Sequence, residues 1–109
     1  MSFFKGMFSP LPQTFAQQIA EKIERQFPAK SEPQLAKKGA QRRLEGVLQP
    51  IMNDLVGFQR ENQLGWIGKA RLGNAFRWAL AEKGYSKEFV EALTEGVVRT
   101  ITTTKEKPS

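Results

Sequence analysis

Apolar residues spaced three and four apart, in stretches cut short by proline and glycine, leave this chain little to form except helices. Phe15, Ala16, Ile19, Ala20, Ile23 and Phe27 share one face at that spacing, while Glu21, Lys22, Glu24 and Arg25 take the other. No strand-like alternation runs beyond a few residues, although Val97 to Thr104 is rich in β-branched side chains that pull against a helix. The expected fold is all-α, an irregular four-helix bundle with a long bent second helix.

Local signals place the ends. Thr14 followed by Gln17 has the form of a capping box, which predicts a first helix from Thr14 to about Phe27, stopped by Pro28. Ser31 with Gln34, and Pro33 in the first turn, predict a second helix reaching about Gln63. Its apolar stripe is Leu44, Val47, Leu48, Ile51, Met52, Leu55 and Phe58, but Lys37 projects onto the same stripe and Leu35 opposite it, so the register should break near Gly39. Pro50 should bend this helix on its polar side, with Gly46, Asn53, Gly57 and Arg60. The segment Asn62 to Gly68 reads as a turn; a third helix then runs to about Lys83, with Gly84 just past its end. Ser86 caps a fourth helix that carries Val90, Leu93, Val97 and Ile101 on one face, with Phe89 at its edge.

With 109 residues the chain has the size of one domain, 1–109, with an aromatic N-terminal segment over 1–13 and a fraying polar tail over 103–109. Its 39% hydrophobic and 26% charged residues are those of an ordinary globular protein, which argues against disorder. The N-terminus lacks the basic start and unbroken apolar stretch of a signal peptide and reads as the mature start. The absence of cysteine removes disulfides and thiolate chemistry and points to a reducing, cytoplasmic home. Histidine is absent too, so the usual general base and the commonest metal ligand are both missing. No catalytic residues, no metal ligands and no cofactor are assigned, and the chain is read as a non-enzyme.

Two surfaces remain as candidates. On the predicted third helix Leu72, Ala75, Phe76, Ala79 and Leu80 form the core stripe. Arg71, Asn74 and Trp78 stack on another side at i, i+3 and i+7, flanked by Trp66 and Arg77. An aromatic set among guanidinium groups suits a protein partner, though the favoured expectation is that this helix is central and buries Trp78 under a neighbour. The N-terminal Phe3, Phe4, Met7, Phe8 and Leu11 would share a face if helical; they read as a flap on the bundle, ahead of a docking peptide or a weak membrane contact. Together these residues suggest a protein-interaction module, with a protein partner or a second copy of the chain, and a membrane is not expected.

The alternative partner is nucleic acid. With 17 Lys and Arg against 11 Asp and Glu, the net charge of +6 suits a polyanion, and Lys37, Lys38, Arg42 and Arg43 form the densest cationic cluster. A solvated helix face explains the same residues, and no recognised nucleic-acid signature accompanies them. A helix-turn-helix reading of the last two helices fails because Glu88, Glu91 and Glu95 would meet phosphate. The pairs Lys87–Glu91 and Glu95–Arg99 explain those glutamates better.

Overall fold

The computed structural model describes residues 10–104. Helix α1 spans Leu11–Gln26, a 3₁₀ segment Ala29–Ala36, α2 Lys38–Asn62, α3 Trp66–Glu82 and α4 Lys87–Thr103. Among the described residues there is no strand, and the expected all-α bundle is what the chain forms. No helix among them is long and apolar enough to cross a membrane.

The helix boundaries follow from backbone chemistry, and two differ from expectation. Helix α1 begins three residues before Thr14, with Pro12 in its first turn, where a missing N–H costs nothing. Thr14 donates its backbone N–H to the Pro10 carbonyl at 2.9 Å and is an ordinary helical residue, so the anticipated capping box does not form. Phe27 leaves the helix (φ −146°, ψ 75°) because the residue before Pro28 is barred from helical geometry. The second difference is that Ser31 caps nothing; Ala29–Ala36 is a 3₁₀ segment enclosing Pro33, separated from α2 by an extended Lys37. The expected register break is therefore real and falls at Lys37, which frees Leu35 to pack on the core from its own element.

Helix α2 runs for 25 residues, ~37 Å at the α-helical rise, with Pro50 inside it on an exposed side. Val47, Ile51 and Leu55 are buried, and so is Gln59, whose Nε2 donates to the Leu64 carbonyl at 3.3 Å and draws the following turn back onto the helix. That turn is only three residues long, since α3 already starts at Trp66. At its other end α3 stops before Gly84, which takes φ +94°, a value other residues rarely adopt. The Ser86 hydroxyl then accepts the Phe89 N–H at 3.1 Å and caps α4, as its position predicts. The threonine-rich end of α4 stays helical, with the Thr100 and Thr103 hydroxyls donating back to the Gly96 and Arg99 carbonyls at 2.8 Å each.

Helix α1 packs between α2 and α3, and its Ala16, Ile19, Ala20 and Ile23 are completely buried. It lies parallel to α3, with Gln13 beside Arg71 at one end and Glu24 bridging Lys83 at 3.2 Å at the other. Against α2 it runs antiparallel, with Phe15 stacked on Phe58 at 4.1 Å between ring centroids and Lys22 reaching Asp54 at 3.3 Å. Helices α3 and α4 cross so closely at Gly73 that a Cβ there would stand 2.7 Å from Val98 Cγ2.

One junction ties three elements together. Tyr85, between α3 and α4, donates its hydroxyl to the Phe27 carbonyl at 2.5 Å, capturing a group that α1 leaves unsatisfied as it ends. Its ring stacks on Phe89 at 4.5 Å, Phe89 lies parallel to Phe27 at 6.2 Å, and the Arg43 guanidinium stands 5.3 Å above Phe27. From the 3₁₀ segment, Glu32 accepts the Ser86 N–H at 2.8 Å and the Ser86 hydroxyl as well.

Burial first, and then the negative charges of Glu24 and Glu32, push the Tyr85 phenol up to about 12 from an ordinary value of 10.0. The fold thus holds a proton that the unfolded chain releases. Stability from this source is intact below pH 10 and is lost as the pH rises towards 12. Tyr85 is the only tyrosine, so an ultraviolet tyrosinate titration reads it directly, with an expected midpoint near 12 in the fold. Tyr85→Phe should cost roughly 1 kcal/mol at neutral pH and abolish that alkaline loss.

Candidate functional site

Helix α3 packs on two neighbours and is open on its third side. Leu72, Phe76 and Leu80 are buried, and Ala75 and Ala79 are half-buried against the core. Helix α2 packs on α4 and α1 and does not cover α3. Among the described residues nothing covers the outward face, and it carries Trp66 at 80% and Trp78 at 62% exposure. The expectation that Trp78 is buried under another element is wrong. Small residues on the packed side draw α3 down onto α1, and among the described residues no further element lies over its back.

The residues expected beside Trp78 share this face. Asn74 is exposed one turn before it, with the exposed Ala70 and Ala81 at neighbouring positions. Arg71 is half-buried; with the Gln13 amide oxygen turned towards it, its Nη2 donates at 2.8 Å. Arg77 pairs with Glu91 of α4 at 3.3 Å, both side chains being about half exposed, so the bridge contributes little stability. Glu91 was expected to pair with Lys87 along its own helix; the antiparallel α3 supplies Arg77 instead, while the expected Glu95–Arg99 pair forms at 3.4 Å. Trp78 also walls a shallow hollow of about 280 Å³ between α1 and α3, beside Gln17, Glu21, Ala75 and Glu82.

Between α3 and α4 lie two adjoining hollows of about 610 and 480 Å³, sharing Arg77, Thr94 and Val98. Thr94 is 97% buried, and its hydroxyl has no hydrogen-bond partner among the described residues. The sequence reading passed over Thr94, although its place four residues after Val90 and three before Val97 puts it on the core stripe.

The cationic cluster is elsewhere, at the start of α2. Lys37, Lys38, Arg42 and Arg43 are all exposed, and among the described residues none pairs with a carboxylate. Arg43 donates to Gln34 at 3.3 Å and covers Phe27, so its role is partly structural. Phe3, Phe4, Met7 and Phe8 lie outside the described residues; Leu11, the last of that set, is 43% exposed at the start of α1. Among the described residues no three acidic side chains are grouped to hold a metal ion.

No known protein family matches the sequence, and neither a curated protein nor a solved structure does. Any functional assignment therefore rests on the geometry above. Exposure of the two tryptophans makes a clear stability prediction: Trp66→Ala and Trp78→Ala should each change the unfolding free energy by less than about 0.5 kcal/mol. The several kcal/mol that follow truncation of a buried aromatic should not be seen in chemical denaturation.

Proposed function

We propose that this chain is a non-enzymatic protein-binding module that holds its partner on the outward face of α3. The observation that carries this reading is the pair of exposed tryptophans, Trp66 and Trp78, on a helix whose other sides are packed. Each indole removed from water at an interface is worth a few kcal/mol, from ~150–250 Å² of area at ~25 cal/mol/Å². Ala70, between them, and Ala81, about one turn beyond Trp78, are small enough for a partner backbone to approach, while Asn74, Arg71 and Arg77 offer polar contacts at the rim. A partner with an apolar groove and carboxylates at its edge matches this chemistry. No catalysis is assigned, because histidine and cysteine are absent and the one tyrosine is engaged at the Phe27 carbonyl. The lack of cysteine fits work in a reducing cytoplasm.

Affinity capture from the native cell tests this with wild type beside a Trp66→Ser, Trp78→Ser chain of matched stability. A partner held by wild type and lost by at least tenfold on the double substitution is expected; equal capture by both would sink the reading.

A second reading is favoured by one observation, the four exposed cations of Lys37, Lys38, Arg42 and Arg43 without carboxylate partners. Phosphate contacts by such residues would give salt-dependent, sequence-independent binding. In that case a mixed oligonucleotide should bind at ~50 mM salt and be released when the four are changed to Ala. No binding under those conditions excludes it.

A further inference from the structure

The hollow of about 280 Å³ between α1 and α3 differs in chemistry from the surface around it. Ala75 and Ala79, both half-buried, form its floor, while Gln17, Glu21, Trp78 and Glu82 are exposed around it. Trp78 and Glu82 stand one turn apart on α3 and make one wall; Gln17 and Glu21, one turn apart on α1, make the other. An indole and a carboxylate thus line one side of the recess, and a second carboxylate lines the other.

Both carboxylates are uncommitted: among the described residues neither Glu21 nor Glu82 forms an ion pair. The neighbouring cations are placed otherwise. Lys83, which also borders the hollow, is held by Glu24 at 3.2 Å, Lys22 reaches Asp54 at 3.3 Å, and Arg25, one turn after Glu21, does not pair with it. On a chain of net charge +6 this recess therefore keeps two negative charges beside an indole. Such a set takes up a positively charged side chain, because carboxylates pair with it and the face of an indole attracts it. A guanidinium fits better than an ammonium: it is planar and weakly hydrated, stacks on aromatic rings and meets a carboxylate through two N–H donors. An anion would be repelled, and an apolar group would strip water from the carboxylates without replacing it.

We propose that the hollow beside Trp78 is a guanidinium-binding site that receives an arginine side chain of the partner. The proposal rests on the protein-binding reading of the α3 face and deepens it by naming one group the partner must present. It also gives the contact a direction. Arg71 precedes Trp78 by seven residues on α3 and Glu82 follows it by four, so a partner's carboxylate and its arginine are met at opposite ends of the indole.

The probe is N-acetyl-argininamide, added to the full chain at fixed ionic strength, with N-acetyl-citrullinamide, similar in shape but neutral, as its control. Trp66 and Trp78 are the only tryptophans, so a nitrogen-15 NMR spectrum shows two indole N–H signals, and Trp66, outside the hollow, serves as the reference. A saturable shift of the Trp78 signal is expected. One exposed cation–π contact with exposed ion pairs gives a dissociation constant of ~1 mM or weaker. Citrullinamide should bind at least tenfold more weakly. Glu21→Gln with Glu82→Gln should lose argininamide binding by tenfold or more; both sites are exposed, and an unchanged circular dichroism spectrum checks the fold. Equal shifts from the two ligands, equal movement of both indoles, or full binding by the double variant would overturn the site, as would no shift at ~50 mM argininamide. A Trp78 signal that moves on Lys5→Gln and not with argininamide would put the chain's own lysine in the recess and overturn the assignment to a partner. Because the titration needs no partner, the two readings fail separately. Argininamide binding with failed capture removes the partner, and capture without an argininamide response removes this site.

Discussion

The hydrogen bond from Tyr85 to the Phe27 carbonyl joins residues 58 apart in the chain and ties the end of α1 to the junction between α3 and α4. Phe27 is where Pro28 forces α1 to end, leaving backbone carbonyls that need donors. The phenol supplies one in a place closed to water, and the Tyr85–Phe89–Phe27 rings pack around the bond. Glu32 then fastens the 3₁₀ segment to Ser86, the residue that caps α4. The end of α1, the start of α4 and the approach to α2 are thereby held at one point. A buried donor and acceptor at such a point are costly to separate, since each would be left without water or partner.

The exposure of α3 follows from which helices pack on which. Once α1 is fixed between α2 and α3, its small residues bring α3 close on one side, and Gly73 lets α4 close on the other. With four α-helices among the described residues, none of them lies over the outward side of α3, and Trp66 and Trp78 stand on it. Two large indoles left in solvent gain the fold nothing, which is the physical reason for reading the face as an interface. The same closeness of α3 and α4 shapes the hollows over Thr94.

Much of this was written in the residues themselves. The three- and four-residue spacing of apolar side chains determined the helices and most of their buried faces, because a helix exposes its periodicity in any context. Gly84, Ser86 and the break between the 3₁₀ segment and α2 were legible because turn and cap chemistry is local. The start of α1 was misread because Thr14 and Gln17 satisfy a local pattern that Pro12, tolerated in a first turn, overrides. That Arg71, Asn74, Trp78 and Arg77 share a side of α3 also followed from spacing alone. Whether that side is covered did not, since coverage depends on which helices lie against which. Only the tertiary structure decided it, along with the bond from Tyr85 to Phe27, the pairing of Glu91 with Arg77 across helices and the burial of Thr94 between α3 and α4, because each is set by distances between elements far apart in sequence.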